Sequence, residues 1–348
     1  MVTSFRDLLD SVLVGRDLHR LNAEAVMHFM MEGELTDAQI GGMLAALRAK
    51  GETVEEITGF VQEMRSHLIP VTCSRSPLID TCGTGGSTHK VFNVSTTAAF
   101  IAAAGGASIA KHGNRAISGV CGSADVLEAL GVDISIGPDS IAKCIDTLGI
   151  GFMFAQAHHP ALKHVSKTRR ELAVRTVFNL LGPLCNPAGA QLQVLGVYEA
   201  GLEIKVAHVL SNLNCKHALV VHGEPGLGEI STVGLTRVTE LRDGSIASRT
   251  ESRATLGLKG DAPTLAEIAP ANTAAENATY VRRILAGKSD CGARRELAAV
   301  NAAAALYLAG KCETLADGVD LAESVISSGE GLNLLNSLVT LTSGMESK

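Results

Sequence analysis

The apolar positions of the first 70 residues recur at helical spacing. One stripe occupies positions 40, 43, 44 and 47, and a second occupies positions 57, 60, 61 and 64. Each stripe follows a sequence that forms a capping box, residues 36–39 and residues 53–56, and Gly51 is a helix stop between them. The pattern predicts a helical region up to about residue 70. Short helices with so much apolar surface need a partner, either the rest of the chain or a second subunit.

From residue 78 onward, short apolar runs alternate with longer segments of helical pattern. The apolar runs predict strands at residues 77–80, 107–110, 151–155, 191–198 and 217–221. Intervening segments predict helices at 138–148 and 202–213, among others. This alternation is typical of an α/β fold with a central, mostly parallel sheet flanked by helices.

The remaining segments complete the prediction. Residues 71–77 form a linker, and the apolar segment 176–183 ends in a rigid Gly-Pro turn. Residues 236–241 and 246–250 are predicted to form a hairpin around Asp243-Gly244. The last hundred residues are mainly helical, at residues 277–285, 294–309, 315–327 and a final turn or two.

The composition narrows the class of protein. Of 348 residues, 46% are hydrophobic and 19% are charged, so the chain can bury a large core. Aromatic residues make up 3%, and the net charge is -6, which together disfavour a nucleic-acid partner. The N-terminus has no signal-peptide core and no apolar run is long enough to span a membrane, so we expect a cytoplasmic protein without a membrane partner.

The eight cysteines are scattered, without a C-x-x-C pair. This distribution favours reduced thiols over disulfides or structural zinc. Cys82 and Cys121 lie beside predicted loops, where a thiol could act as a nucleophile. The interpretation that we favour for both is packing of a small side chain against close backbone.

Three short segments could hold phosphate. Gly83-Thr84-Gly85-Gly86 follows a strand and exposes backbone amides, although a simple tight turn has the same pattern. Asn93-Val94-Ser95-Thr96 begins a helix, so its side chains could be ordinary N-caps or ligands of a phosphate and its metal. Lys111-His112-Gly113-Asn114-Arg115 follows the next strand and is either a solvated charge run or an anion site.

Two further positions could complete a substrate site. One of the adjacent Arg169 and Arg170 could pair with a carboxylate in fork geometry while the other faces solvent. Glu229 lies in a glycine-rich loop and is either a Mg²⁺ ligand or a surface acid. No Ser-His-Asp spacing or pair of catalytic carboxylates stands out, and this set of residues suits group transfer by positioning and charge neutralisation.

Six motifs occur in order: D-x-x-G-T-G-G, N-V-S-T, K-H-G-N-R, G-S-A-D-V-L-E-A-L-G, R-T-V-F-N-L-L-G-P-L-x-N-P-A and V-H-G-x-x-G-L-x-E-I-S-T. Together they closely resemble the anthranilate phosphoribosyltransferase family of tryptophan biosynthesis, over nearly the whole chain. The resemblance implies transfer of the phosphoribosyl group of phosphoribosyl pyrophosphate to the amine of anthranilate, with Mg²⁺ as the cofactor.

The resemblance also implies the domain organisation. A small helical domain, residues 1–71, would include a helical excursion near residues 165–190. A larger α/β domain, residues 72–164 and 191–348, would bind phosphoribosyl pyrophosphate. A hinge between the domains and a homodimer formed through the small domain are further implications.

The family's functional positions map onto this chain residue by residue. The resemblance implies that phosphoribosyl pyrophosphate is bound by Gly83, Gly86, Ser87, Val91, Asn93, Val94, Ser95, Thr96, Lys111, His112, Gly113, Asn114, Arg115, Ser118, Gly119 and Ser123. It implies that anthranilate contacts Gly83, Asn114, His159, Arg169 and Gly182, with Arg169 facing the carboxylate. Ser95 and Glu229 would reach Mg²⁺. No residue is implied to be a strong general acid or base.

The chain departs from the family pattern at positions that bear on the metal. Ser87 and Gly228 stand where the family has aspartates, and Glu224 is a hypothetical replacement for the missing charge. Leu162 occupies a channel position that is often aromatic in the family. Two alternatives remain: a related phosphoribosyltransferase with another aromatic acceptor, and a catalytically weakened paralogue that only binds ligands. The architecture also occurs in pyrimidine nucleoside phosphorylases, but the K-H-G-N-R motif and the Arg169 segment favour the anthranilate branch.

Overall fold

A computed structural model describes residues 4–116 and 119–345 of the chain. The N-terminal region consists of helices α1 (Phe5–Leu13), α2 (Arg20–Met31), α3 (Asp37–Lys50) and α4 (Val54–Ser66). Both predicted capping boxes are confirmed, because Thr36 and Thr53 each exchange hydrogen bonds with the residue three positions later. Both apolar stripes are buried, and α3 ends at Gly51, as the sequence predicts.

Helices α2 and α4 run parallel in close contact. Arg20 pairs with Glu55 near the start of the two helices, and His28 pairs with Glu63 near their ends. The sequence separation is 35 residues in both pairs, so the helices run in the same direction. The helices are in close contact at Gly59, where an added Cβ would lie 2.4 Å from the backbone oxygen of Arg20. Such a contact requires glycine, because no side chain fits between the two backbones.

Seven strands form a single sheet: β1 (Ile79–Gly83), β2 (Ile109–Gly113), β3 (Ile150–Phe154), β4 (Leu192–Gly196), β5 (His217–Gly223), β6 (Thr236–Arg242) and β7 (Ser245–Glu251). Their order in the sheet is β3-β2-β1-β4-β5-β6-β7. The first five strands are parallel, and β6 and β7 add an antiparallel hairpin at one edge. Asp243 and Gly244 both have positive φ in the tight hairpin turn. The predicted fold class is therefore confirmed.

Helices surround the sheet. Their bounds are α5 (Val94–Ala104), α6 (Ser123–Ala129), α7 (Pro138–Leu148), α8 (Ala155–His158), α9 (Lys163–Leu172), α10 (Phe178–Leu184), α11 (Leu202–Asn212), α12 (Leu265–Ile268), α13 (Ala274–Leu285), α14 (Gly292–Leu308), α15 (Leu315–Ser328) and α16 (Glu330–Ser343). Helix α5 packs between the sheet and α14, and nearly all of its residues are buried. An alanine-rich sequence suits this position because small side chains let neighbouring helices approach closely.

The buried apolar side chains form two clusters, one on each face of the sheet. Leu219 and Val221 of β5 point to the cluster around α5 and α14. Ala218 and Val220 point to the other cluster, which contains α11 and the N-terminal helices. Alternate residues of one strand thus serve two cores. As a result, the small helical domain shares a core with one face of the sheet.

Helices α9 and α10 leave the sheet region and pack on the N-terminal helices. Thr168 of α9 donates a hydrogen bond to the carboxylate of Asp37 at 2.8 Å. Arg65 of α4 donates to the carbonyl of Leu184 at the end of α10, at 2.7 and 3.0 Å. These contacts fasten the excursion between β3 and β4 to the small helical domain.

Three predictions about local structure need correction. Residues 178–184 form helix α10, with Gly182 and Pro183 inside it, so the segment does not end in a Gly-Pro turn. Proline has no backbone N–H to donate, and in a helix as short as α10 this removes few helical hydrogen bonds. Strand β2 continues to Gly113, so Lys111 and His112 lie on the strand and not after it. The predicted final turn or two is the 14-residue helix α16. In the described ranges, no helix is long and apolar enough to cross a bilayer.

Glycine substitutions in two helices test the parallel contact of α2 and α4. Gly59→Ala places a methyl group against the backbone of α2, and we expect it to lower the free energy of unfolding by about 1–3 kcal/mol. Gly42→Ala in α3 is the matched control, because an added Cβ there meets no atom within 4 Å. The control should raise stability by about 0.5–1 kcal/mol. Equal effects of the two substitutions in urea unfolding would contradict the close approach.

Candidate active site

The carboxyl ends of the parallel strands create a crevice in the middle of the sheet. From β1 the chain proceeds to β2 and β3 on one side and then to β4 and β5 on the other. Strands β1 and β4 are therefore neighbours, and the helices that follow them, α5 and α11, lie on opposite faces of the sheet. In open α/β sheets, ligands bind at such a reversal of strand order.

Bare backbone lines this crevice at the ends of β1 and β4. Gly85 and Gly86, in the loop after β1, have φ of +64° and +75°. The amide of Thr84 donates to the carbonyl of Gly196 at 2.9 Å. A Cβ on Gly196 would lie only 1.6 Å from the oxygen of Gly228, so the loop after β5 touches the end of β4. The 83–86 segment is thus a glycine turn packed against a second glycine loop.

The start of α5 carries polar groups that lack helix-capping partners. Asn93 precedes the helix but makes no side-chain capping bond, and its amide donates instead to the carbonyls of Cys121 and Gly122 at 3.2 Å. The hydroxyl of Thr96 is buried without a partner in the described chain. Uncapped amides and a positive helix end are suited to an anion. The geometry therefore favours the ligand interpretation of this motif over the capping interpretation.

Lys111 connects β2, β1 and the start of α5. Its Nζ donates to the carbonyl of Thr81 at 2.5 Å and to the hydroxyl of Ser95 at 3.2 Å. Burial lowers the pKa of Lys111, and the charge of Asp80 opposes that shift. This buried ammonium group lies beside the uncapped helix end, where it adds positive potential.

The rest of the basic segment is engaged differently. The guanidinium of Arg115 is ion-paired with Asp125 at 3.0 Å and with Glu128 at 2.5 Å, so its charge is directed to α6. The hydroxyl of Ser123 donates to the carbonyl of Asn114 at 3.3 Å and fixes that turn. Of the other residues predicted to bind phosphoribosyl pyrophosphate, Gly119 is exposed, Val91 is half-buried and Val94 is buried. Ser118 lies outside the described residues.

Two neighbouring histidines line the crevice beside α10. The rings of His112 and His159 are 5.1 Å apart, and the Nε2 atom of each is buried without a partner in the described chain. Burial lowers the pKa of His159 to about 4, and burial also lowers the pKa of His112 well below its ordinary value. Both imidazoles are therefore neutral near pH 7. Orphaned buried nitrogens indicate room for a polar ligand group or water.

Arg169 has a guanidinium without an ionic partner. It lies 4.8 Å above the ring of Phe178, and within residues 4–116 and 119–345 it makes no ion pair or hydrogen bond. Burial lowers its pKa. Arg170 is exposed, so one of the two adjacent arginines faces solvent, as the sequence predicts. Gly182, on the same short helix as Phe178, faces open space, because an added Cβ would meet no atom within 4 Å.

Glu229 lies in the loop after β5, which contacts the loop after β1. The amide of Thr88 donates to the carbonyl of Gly226 at 3.1 Å, which joins the loop after β1 to the loop after β5. The Oε2 atom of Glu229 is buried without a partner in the described chain. Burial raises the pKa of Glu229 to about 7, against the opposing charge of Lys90. An orphaned carboxylate oxygen in a loop that contacts the glycine turn fits a cation ligand.

Comparison with known proteins places the chain in a family. The helical bundle domain of the glycosyl transferase family matches residues 6–68, and the a/b domain of that family matches residues 75–332. An anthranilate phosphoribosyltransferase from Symbiobacterium thermophilum is 48% identical, over 96% of this chain and 97% of that protein. The chain belongs to the anthranilate phosphoribosyltransferase family.

Solved structures of this family have the same fold. The anthranilate phosphoribosyltransferase of Thermus thermophilus is 41% identical, with a TM-score of 0.91 over 97% of this chain and 99% of that chain. The Saccharomyces cerevisiae enzyme in complex with PRPP and Mg is 26% identical, with a TM-score of 0.83 over 98% and 94% of the two chains.

The two departures from the family pattern are in contact with each other. A Cβ on Gly228 would lie 2.9 Å from the hydroxyl of Ser87. The two positions at which the resemblance implies aspartates are therefore adjacent, and both are neutral in this chain. Glu224 is exposed and lines a separate cavity of about 330 Å³ between α11 and the β6–β7 hairpin. Accordingly, we do not assign Glu224 to the metal.

Sequence reasoning missed three residues that position the site. Asp80 accepts hydrogen bonds from the amide of His112 at 3.1 Å and from Asn186 at 2.8 Å, so it joins β1, β2 and the end of the excursion. Arg175 lies over the ring of Tyr198 and donates to the carbonyl of Gly86 at 3.2 Å. Asp80 and Asn186 stand within the D-x-x-G-T-G-G and N-P-A motifs, which is the signal that could have indicated them.

The thiol of Cys82 is not suited to nucleophilic chemistry. Burial raises its pKa well above the ordinary value, and the charge of Asp80 adds to that shift. Burial likewise raises the pKa of Cys121 to about 11. All eight cysteines are free thiols. These properties support the packing interpretation of both residues.

The buried histidines predict a pH-dependent stability. His159 has a folded-state pKa of about 4, below its ordinary value of 6.5, so the unfolded state binds a proton more readily between these values. Stability should therefore fall as the pH decreases from 6.5 towards 4. Between pH 7 and pH 5, the free energy of unfolding of His159→Gln should fall by about 1–2 kcal/mol less than that of the original protein. His208→Gln, at an exposed position, should leave the pH slope of urea unfolding unchanged. An unaltered slope in His159→Gln would refute this origin.

Proposed function

We propose that the protein transfers the phosphoribosyl group of phosphoribosyl pyrophosphate to the amine of anthranilate, giving N-(5-phosphoribosyl)anthranilate and pyrophosphate. One observation carries the proposal. An uncapped helix start with a buried lysine suits phosphate, and a guanidinium without an ionic partner suits a carboxylate. The guanidinium lies on Phe178 of α10, and Gln193 of β4 donates a hydrogen bond to the carbonyl of Pro183 in the same helix at 2.6 Å, so α10 packs on the central strands. Phosphate and carboxylate are the charged groups of the two substrates.

The phosphate side of the crevice would bind phosphoribosyl pyrophosphate. Amides of the 83–87 loop and of the start of α5 would donate to phosphate oxygens, and Ser95 and Thr96 would add hydroxyl donors. The ammonium group of Lys111, which lies between Thr81 and Ser95, would stabilise the negative charge of the phosphate groups. The segments around Asn93 and residues 111–123 would complete the pocket.

The other side would bind anthranilate. Arg169 would pair with its carboxylate, held in place by the ring of Phe178. Gly182, with its open surroundings, and the neutral His159 would line the channel without adding charge. Asn114 lies on the turn between the two sides and would contact both substrates. The nitrogen of an aromatic amine is already nucleophilic, so no strong general base is needed.

A bound Mg²⁺ would supply charge stabilisation for the departing pyrophosphate. Glu229 and Ser95 would hold the ion, with phosphate oxygens and water as the remaining ligands, which is the usual environment of Mg²⁺. The orphaned oxygen of Glu229 supports this assignment. With Ser87 and Gly228 neutral, the chain would offer fewer carboxylates to the ion than its family pattern does.

The assay for the proposed reaction uses purified protein, phosphoribosyl pyrophosphate, Mg²⁺ and anthranilate. Loss of anthranilate fluorescence with release of pyrophosphate is the expected result. Turnover of a different aromatic acceptor alone would select the related-transferase alternative. Binding of both substrates without turnover at any Mg²⁺ concentration would select the ligand-binding paralogue.

The adjacent arginines provide a matched pair of variants. Arg169→Gln removes the proposed fork to the carboxylate, and we expect the KM for anthranilate to rise roughly 10- to 100-fold, the equivalent of one charge-assisted contact. The KM for phosphoribosyl pyrophosphate should stay nearly constant. Arg170→Gln, at the exposed neighbour, should leave both values unchanged. A similar effect of the two variants would show that Arg169 does not face anthranilate.

Restoring the missing carboxylate tests the metal assignment. Gly228→Asp should lower the Mg²⁺ concentration for half-maximal activity by roughly tenfold, because a charge-assisted ligand is added. Its side chain meets the hydroxyl of Ser87, which can rotate away. Gly228→Asn has the same size without the charge and controls for crowding. If both variants give the same Mg²⁺ dependence as the original chain, position 228 does not face the ion.

The organisation of the protein completes the proposal. Residues 1–71 with the excursion near 165–190 would form the small domain, and the remainder would form the α/β domain. A homodimer would assemble through the small domain, where Leu13, Val14 and Leu21 are 61%, 68% and 75% exposed. As a biosynthetic enzyme the protein would act in the cytoplasm. The dimer predicts a mass of twice 36.1 kDa in light scattering.

A further inference from the structure

Four side chains converge on the small helical domain, at a distance in sequence from every proposed substrate contact. His28 and Glu32 lie one turn apart at the end of α2, and Glu63 and His67 lie one turn apart at the end of α4. Because α2 and α4 run parallel, their carboxyl ends meet. The four side chains therefore share one patch of surface.

Glu63 lies between the two imidazoles. Its Oε1 atom is 2.8 Å from Nδ1 of His28 and 2.8 Å from Nε2 of His67. With a proton on each of these nitrogens, both rings donate to Glu63 and keep a lone pair on the opposite nitrogen. A carboxylate that holds histidines in this way fixes their tautomer for binding a metal.

The remaining ligand atoms are close enough to share one ion. Nδ1 of His67 is 3.6 Å from Oε1 of Glu32. The ligand atoms that His28, Glu32 and His67 can offer all lie within 4.8 Å of one another, and the described parts of the chain contain no second group of this kind. In a tetrahedral zinc site with bonds of about 2.0–2.1 Å, ligand atoms lie about 3.4 Å apart. His28 and Glu32 are exposed and can make the small adjustment required.

The local electrostatics favour a cation. The carboxyl ends of α2 and α4 both carry partial negative charge towards this patch. The patch is therefore electronegative beyond its two carboxylates.

We propose that His28, Glu32 and His67 bind a divalent transition-metal ion, with Zn²⁺ the best match, and that Glu63 orients both imidazoles. Two nitrogen ligands and one oxygen ligand suit Zn²⁺ and not Mg²⁺, so this site is distinct from the one at Glu229. The ion connects the ends of α2 and α4 and stabilises the small domain. It takes no part in phosphoribosyl transfer.

Calorimetric titration of the full-length, metal-stripped protein with Zn²⁺ tests the site. We expect one ion per chain at this site and an increase in the melting temperature. The His28→Gln/His67→Gln double variant should bind Zn²⁺ with an affinity at least tenfold lower and should show no increase in melting temperature. His208→Gln should bind Zn²⁺ and gain melting temperature like the original protein. Glu63→Gln retains the three ligands and loses their orientation, so its affinity should fall about 10- to 100-fold.

Substitution with Co²⁺ distinguishes this site from binding by cysteine. Visible d–d bands without thiolate charge-transfer bands are expected, and the double variant should lose them. Melting of the metal-free variants shows whether each is folded. Unchanged Zn²⁺ affinity in the double variant, thiolate bands, or the absence of any Zn²⁺ binding by the original protein would each overturn the proposal.

Discussion

The contact between the end of β4 and the loop after β5 leaves no space for a side chain. A Cβ on Gly196 would lie 1.6 Å from the oxygen of Gly228, and one on Gly83 would lie 3.4 Å from the oxygen of Gly196. This approach of bare backbone brings the loops after β1, β4 and β5 together at the reversal of strand order. The position of the Glu229 loop against the loop after β1 depends on it, as the hydrogen bond from the amide of Thr88 to the carbonyl of Gly226 shows.

The polarity of the crevice follows from that packing. Burial keeps His112 and His159 neutral, lowers the pKa of Lys111 and leaves the hydroxyl of Thr96 without a partner in the described chain. Buried polar groups are costly when unpaired, and enzymes tolerate them where a ligand completes the pairing. These groups support the proposal that phosphate binds on the α5 side and a carboxylate binds at Arg169.

Local features of the sequence predicted much of the fold, and tertiary features account for what was missed. Capping boxes at Thr36 and Thr53 and the turn at Asp243 are set by neighbouring residues, and each was found correctly. The resemblance indicated a helical excursion near residues 165–190, but the apolar run alone did not give the bounds of α10, which packs against α4. Similarly, the roles of Arg175 and Asn186 arise from contacts with residues 89 and 106 positions away in the sequence. Whether each predicted site residue touches a substrate stays a prediction.

A crystal structure of the protein with phosphoribosyl pyrophosphate and Mg²⁺ tests the central claim most directly, namely that the start of α5 and the glycine loops form the phosphate site. We predict pyrophosphate oxygens within hydrogen-bond distance of the amides and hydroxyls of Ser95 and Thr96, with the ion on Glu229. Pyrophosphate bound elsewhere, for example at Arg237 and Arg249 in the cavity beside α11, with the start of α5 left to water, would contradict the account.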